Sequence, residues 1–375
     1  MSTAPGTTVE GAARRRRLST SQIVAFAFGI IVVVAIFVFA IPKYADYGAV
    51  WASMKTLTPI EFWSLLAATI FNLYTYWLAN EAGLIGMGLG QSAVVTQTST
   101  TVANTLPAGG AFGVGVTAAM LNTWGFTAGE ITLFVGVTGI WNIFVKLGLP
   151  VVALGLLVIT GHSNPGLTAA AVVGVIVLAF AVTLLVLVFR SEAMARRVGG
   201  FVGRVFNAFR KLLRKPTHDD MGDKAATFRR ETIILAERRW FMLTWTTVLS
   251  QVALFFVLLL SLRHMGVAEA ELSTVEIFAV YTFSRLLSAI PITPGGVGVI
   301  DLGYIAGLTA VDSGEKAAIV AAVLIFRLLT YGLQIPLGVF TYVLYRRRTN
   351  WRRDTPPPGS IAAELEASRA PVAAS

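Results

Sequence analysis

Six stretches of this chain are too apolar and too long to be stable facing water: residues 23–41, 60–80, 129–159, 167–189, 240–262 and 316–345. As helices rising 1.5 Å per residue, each reaches across a hydrocarbon core of about 30 Å. Inside lipid the backbone must satisfy its own hydrogen bonds, and a run of this kind does so only as a helix. Composition agrees: 55% of the 375 residues are hydrophobic and 13% are charged, against about 25% charged in ordinary globular chains. Too little charge is present to cover the exterior of a soluble domain. The expected fold class is an all-α polytopic membrane protein.

Two further apolar regions, 90–122 and 273–310, are each broken by proline and glycine, at Leu106-Pro107-Ala108-Gly109-Gly110 and at Ile290-Pro291-Ile292-Thr293-Pro294-Gly295-Gly296. The pieces beside each break fall short of the ~20 residues a full crossing needs. Each region therefore reads as a re-entrant hairpin of two half-helices, giving six full spans plus two hairpins. With the tetra-arginine Arg14–Arg17 in the cytoplasm, this count puts the thirteen Arg and Lys of 190–239 and the tail from Arg346 on the same side, as the positive-inside rule requires. Both termini are expected to be cytoplasmic. Each half then reads span, span, hairpin, span with opposite entry, an inverted repeat of the transporter kind. The expected organisation runs from a disordered basic N-terminus (1–20) through a first membrane half (21–159) to a span opening the second half (160–189). There follow a basic cytoplasmic loop (190–239), the remaining second half (240–345) and a disordered tail (346–375). Within the loop, residues 192–215 alternate apolar and basic positions at helical spacing. They are expected to form an interfacial helix on anionic lipid.

Several function classes drop out. Without cysteine there is no thiolate metal site and no cysteine nucleophile. The three histidines, His162, His218 and His264, stand far apart in sequence, so no metal is expected. The net charge of +10 clusters at the ends of apolar segments, which points to anionic headgroups rather than nucleic acid. Gly109–Gly115 lacks the lysine and Ser/Thr of a phosphate-binding loop, and no cofactor is expected. The apolar run after Arg17 is longer than a signal-peptide core and reads as a retained helix.

Ionisable residues at membrane depth cost at least ~2.5–3.5 kcal/mol, so they pair or line a polar cavity. Arg285 and Asp301 lie on the two arms of the second hairpin, and Arg327 lies deep in the last span. Two readings stay open: a polar groove that binds phosphate, or an Arg327–Asp301 ion pair that locks the hairpin. Pro291 and Pro294 end the entering half-helix. Gly295, Gly296 and Gly298 permit positive φ and close approach, and a helix beginning near Val297 would offer free amide donors to an anion. A tight hairpin without ligand explains the same glycines. Pro107, Gly109 and Gly110 are the first-half counterparts. Lys146, inside the third span, would meet phosphate or snorkel. Asn72, Tyr76 and Asn80 form a polar seam suited to helix–helix hydrogen bonds. Glu81 and Glu130 are expected at the membrane edge.

Pro294-Gly295-Gly296-Val297-Gly298-Val299 with Asp301, the run Arg327-Leu328-Leu329-Thr330-Tyr331, and Asn104…Pro107…Gly109-Gly110 together resemble the lysylphosphatidylglycerol synthase transmembrane-region family of flippase-like proteins, over roughly residues 20–345. The resemblance implies a bundle of inverted repeats and a role in moving a phospholipid or polyprenyl-linked headgroup between leaflets. Its partners would be membrane lipids, an anionic phospholipid or a lipid-linked phosphate, with a homo-oligomer left open. Family members usually carry glutamate where this chain has Asp301, and many carry a charge where Gly113, Val114 and Gly115 stand here. The soluble aminoacyl-transferase domain of full-length synthases has no counterpart, so no enzymatic activity is expected. A non-transporting scaffold for envelope-lipid assembly and a small-solute secondary transporter are the alternatives.

Overall fold

The computed structural model describes residues 46–106, 109–161, 190–212, 221–288, 293–311 and 316–369, with short pieces of 31–43 and 175–187 and residue 314. Among these residues the regular structure is helical, without strands. Among the described residues, three helices are long and apolar enough to cross a membrane: Ala128–Ile159, Glu237–His264 and Lys316–Arg347. The expected N-terminal region 1–20 and most of the spans 23–41 and 167–189 lie outside the described residues.

Among the described residues, a 3-10 turn at Ile41–Lys43 is followed by a short helix α1 (Tyr47–Lys55), whose N-cap Asp46 accepts from Gly48 and Ala49. Next come α2 (Pro59–Gly83), α3 (Leu89–Thr105), α4 (Gly109–Thr123) and α5 (Ala128–Ile159). The amphipathic α6 (Glu192–Leu212) packs along α7 (Met221–His264). The second half closes with α8 (Thr274–Leu287), α9 (Val299–Val311), α10 (Lys316–Arg327), α11 (Gln334–Arg347) and α12 (Ile361–Arg369). One local device opens three of them. Thr58/Glu61, Thr127/Glu130 and Ser273/Glu276 are capping boxes on α2, α5 and α8, each satisfying two otherwise orphaned amides.

At 1.5 Å per residue, α3, α4, α8 and α9 are each roughly 20–26 Å long, too short to cross alone. They pair as α3 with α4 and α8 with α9. The two pairs open toward opposite ends of the bundle. The α3 start and α4 end lie at the end of the bundle where α2 finishes. The turn before α8 lies at the other end, where Ser64 near the start of α2 bonds His264 (2.7 Å). The breaks meet between these ends: the Tyr331 hydroxyl donates to the Asn104 carbonyl (2.8 Å), and a Cβ on Gly295 would stand 3.0 Å from Asn104 Oδ1.

The stretch 316–345, expected as a span, is the long apolar helix Lys316–Arg347; a π turn at Leu328–Gly332, an expansion often found at functional sites, follows directly on Arg327 within it. One feature departs from the sequence expectation. The tail, expected to be disordered from 346 to 375, is placed up to residue 369, leaving only 370–375 outside the described residues. Trp351 packs edge-to-face on buried Trp124 (5.6 Å), Ser360 is fully buried, Ala362 N donates to Glu130 (2.9 Å), and Arg238 pairs with Glu364 (2.8 Å). Its prolines do not unfold the segment, because an extended proline run needs no internal hydrogen bonds and the flanking tryptophan and helix supply the anchoring. Glu130 accordingly serves as a cap and a tail anchor at the start of α5, where it is buried among protein groups.

Candidate functional site

Where the two breaks meet, the helices line a half-open cavity of about 770 Å³. Lys146 from α5, Arg285 from α8 and Arg327 from α10 all reach its wall, and among the described residues lining it there is no carboxylate. Three cations on the wall of one cavity at the depth of apolar helices is a costly arrangement unless each is paired or meets an anion.

Each cation is held differently. Arg327 Nε stands 2.5 Å from Asp301 Oδ1, and a second guanidinium nitrogen reaches the Gly295 carbonyl (3.4 Å). The guanidinium also lies over the Tyr331 ring, 5.0 Å from its centroid, a favourable cation–π placement. Arg285 has no carboxylate partner among the described residues. Tyr76, Tyr281 and Tyr304 surround it, with Tyr76 in hydrogen-bonding reach, and its buried Nε has no partner. Lys146 Nζ donates only a long bond to Ser288 Oγ (3.3 Å). Arg285 and Lys146 are therefore the cations whose charge is free to meet a ligand.

The sequence expectation for Asp301 needs correcting. Its side chain is 2% exposed and does not line the cavity. It sits behind Arg327, and Oδ2 accepts from Gly298 N (2.8 Å). That bond occupies the Gly298 amide, and the Gly296 amide donates to the Thr293 carbonyl (3.0 Å). The glycine turn also supplies shape. Gly295, Gly296 and Gly298 have φ of 59°, 69° and 83°, a region costly for residues with a Cβ. A side chain on Gly295 would run into Tyr331.

Pro294 opens this turn, while Pro291 and Pro107 lie outside the described residues. Gly109 is buried against the Ala103 backbone and Gly110 is exposed, and both lie on the cavity wall. The polar seam divides. Asn72 donates to the Ser250 carbonyl (3.0 Å) and Asn80 to Thr96 (2.9 Å), as helix–helix bonding requires, whereas Tyr76 faces the cavity. Sequence reasoning gives Lys146 little weight, yet it faces Arg285 across the cavity. The signal available is its spacing: deep inside an apolar helix of 32 residues, it is too far from either end for easy snorkelling.

Residues 23–338 match the family described as Lysylphosphatidylglycerol synthase TM region. No curated protein matches the chain.

Proposed function

The chain belongs to the lysylphosphatidylglycerol synthase TM-region family, a multi-pass membrane protein of phospholipid metabolism or transport; from that premise we propose that it is a flippase-like transporter. In this reading it carries a phosphate-bearing lipid headgroup between leaflets, and its activity is transport without catalysis. The observation that carries it is the cavity with Lys146, Arg285 and Arg327 on its wall and no lining carboxylate among the described residues. Arg285 and Lys146 hold the headgroup phosphate through charge-assisted hydrogen bonds. Arg327, already balanced by Asp301, fixes the hairpin against the last helix. The paired half-helices act as re-entrant hairpins from the two membrane faces, related as inverted repeats, with both termini in the cytoplasm. A groove whose floor is cationic at mid-depth lowers the cost of drawing a charged headgroup through oil.

The test is lipid translocation in liposomes with leaflet-specific labelling. Each charge-assisted bond is worth about 1.5–3 kcal/mol, so Arg285→Gln or Lys146→Gln should slow transfer roughly 10- to 100-fold. Arg285→Lys, which keeps the charge, should retain part of the rate and guards against misfolding. Unchanged transfer in both neutral variants would reject the assignment. A non-transporting scaffold has no use for an unpaired Arg285 beside a cavity, and this disfavours that alternative.

A further inference from the structure

A second cavity, of about 330 Å³, lies beside the first and shares Tyr76 and Thr96 with it. Its walls differ in kind. Among the described residues it carries no ionisable side chain except the Tyr76 phenol, and its polar groups include Thr96, Ser99, Thr138, Asn142, Thr247 and Ser250. Four of these hydroxyls already donate their hydrogen to a helix carbonyl: Ser99 to Thr96 (3.1 Å), Thr138 to Phe134 (2.7 Å), Thr247 to Leu243 (2.6 Å) and Ser250 to Thr247 (2.8 Å). A hydroxyl has one hydrogen and two lone pairs, so what remains on these groups is acceptor oxygen. The cavity is a neutral wall rich in acceptor oxygen, with the Asn80 and Asn142 amides also on it, adjoining a cationic one.

We infer that the two cavities form one bipartite headgroup site, selective for a phosphate ester whose remaining part is uncharged and rich in hydroxyls, such as a glycerol, inositol or sugar phosphate. This rests on the phosphate reading above. The cationic cavity takes the phosphate, and the acceptor wall takes hydroxyl hydrogens. An ammonium-bearing headgroup would also present N–H donors, but it would bring a charge beside Arg285, which contacts the shared Tyr76. Neither wall offers it a carboxylate among the described residues. An unpaired buried charge is far costlier than an unpaired hydroxyl. Each cavity by itself has the volume of an ordinary ligand site.

The experiment is thermal unfolding and calorimetric titration of the full chain in detergent with inorganic phosphate, glycerol 1-phosphate, phosphoethanolamine and a short-chain phosphatidylglycerol. Glycerol 1-phosphate should bind about tenfold tighter than inorganic phosphate and than phosphoethanolamine, the worth of one or two net hydrogen bonds. In the near-isosteric pair Ser99→Ala with Thr138→Val that advantage should vanish while inorganic phosphate binding is unchanged, which separates lost recognition from lost folding. Tighter binding of the short-chain lipid than of glycerol 1-phosphate assigns the site to a membrane lipid; equal binding assigns it to a soluble ester, with the selectivity standing in either case. If phosphoethanolamine binds as well as glycerol 1-phosphate, or the double variant changes nothing, the bipartite site is overturned and the cationic cavity survives. If no phosphate compound binds, and Arg285→Gln changes no titration, both readings fall together.

Discussion

Removing one member of the buried Arg327–Asp301 pair strands the other, at a cost of roughly 3–5 kcal/mol. Arg327→Gln and Asp301→Asn should therefore each lower the unfolding midpoint sharply, while the double variant recovers part of the loss. A double-mutant cycle by thermal unfolding reads the coupling, and strict additivity would contradict the ion pair. The amino-acid sequence makes this pair legible, because a buried charge demands a partner and few others exist at that depth. It names the Arg327–Asp301 pair as one of two readings and leaves open whether both arginines instead face a ligand. The packing of α10 against α9 makes the choice and leaves Arg285 to the cavity. Gly295→Ala combines a left-handed φ with the Tyr331 contact, so a loss of at least about 1–2 kcal/mol is expected, read by the same assay. Outside the membrane-spanning helices, Glu269 gives a pH signature. Its carboxyl is held below the ordinary range first by the Thr274 amide, and further by the Thr274 hydroxyl and Arg263, against a burial effect that acts the other way. A depressed acid contributes stability above its unfolded value of about 4.3, and that contribution disappears as pH falls through its lower folded value. The loop before α8 should thus become protease-sensitive only on acidification below about pH 4, and Glu269→Gln should show the looser behaviour at neutral pH.

Elements repeat the same lesson at larger size. The spans 60–80, 129–159 and 240–262 correspond to α2, α5 and the second part of α7, because apolar length is a local property. The π turn after Arg327 carries no comparable signature: it adds one residue to a helical turn, and no hydropathy pattern records that. The tail misleads for a related reason. Its composition is that of a disordered segment, yet Trp351 packs against Trp124 in a cluster that includes Tyr345, and the Arg353 amide donates to the Thr123 carbonyl (3.2 Å). Trp351→Ala should cost roughly 1–3 kcal/mol, the value of one large half-buried side chain. Protease cleavage within 349–360 should speed up in that variant while inorganic phosphate binding stays the same. Unchanged cleavage would mean that the tryptophan does not hold the segment.

For the whole molecule, the cysteine-free sequence makes topology directly measurable with single introduced thiols. Arg353→Cys should react with an impermeant reagent only from the cytoplasmic side and Glu271→Cys only from the other. Gly110→Cys should react with small water-soluble reagents and not with bulky ones. Labelling of positions 271 and 353 from the same side would contradict hairpins entering from opposite faces. Length, apolar runs and breaks in those runs determined by themselves that this chain is a helical membrane protein with two short-helix pairs, because the cost of placing backbone and charge in lipid falls residue by residue and shows in the local pattern. Which charges neutralise one another, which remain to face a ligand, and that a neutral cavity adjoins the cationic one were decided only when helices far apart in sequence came together, since ion pairing and cavity shape depend on distances that no single segment contains.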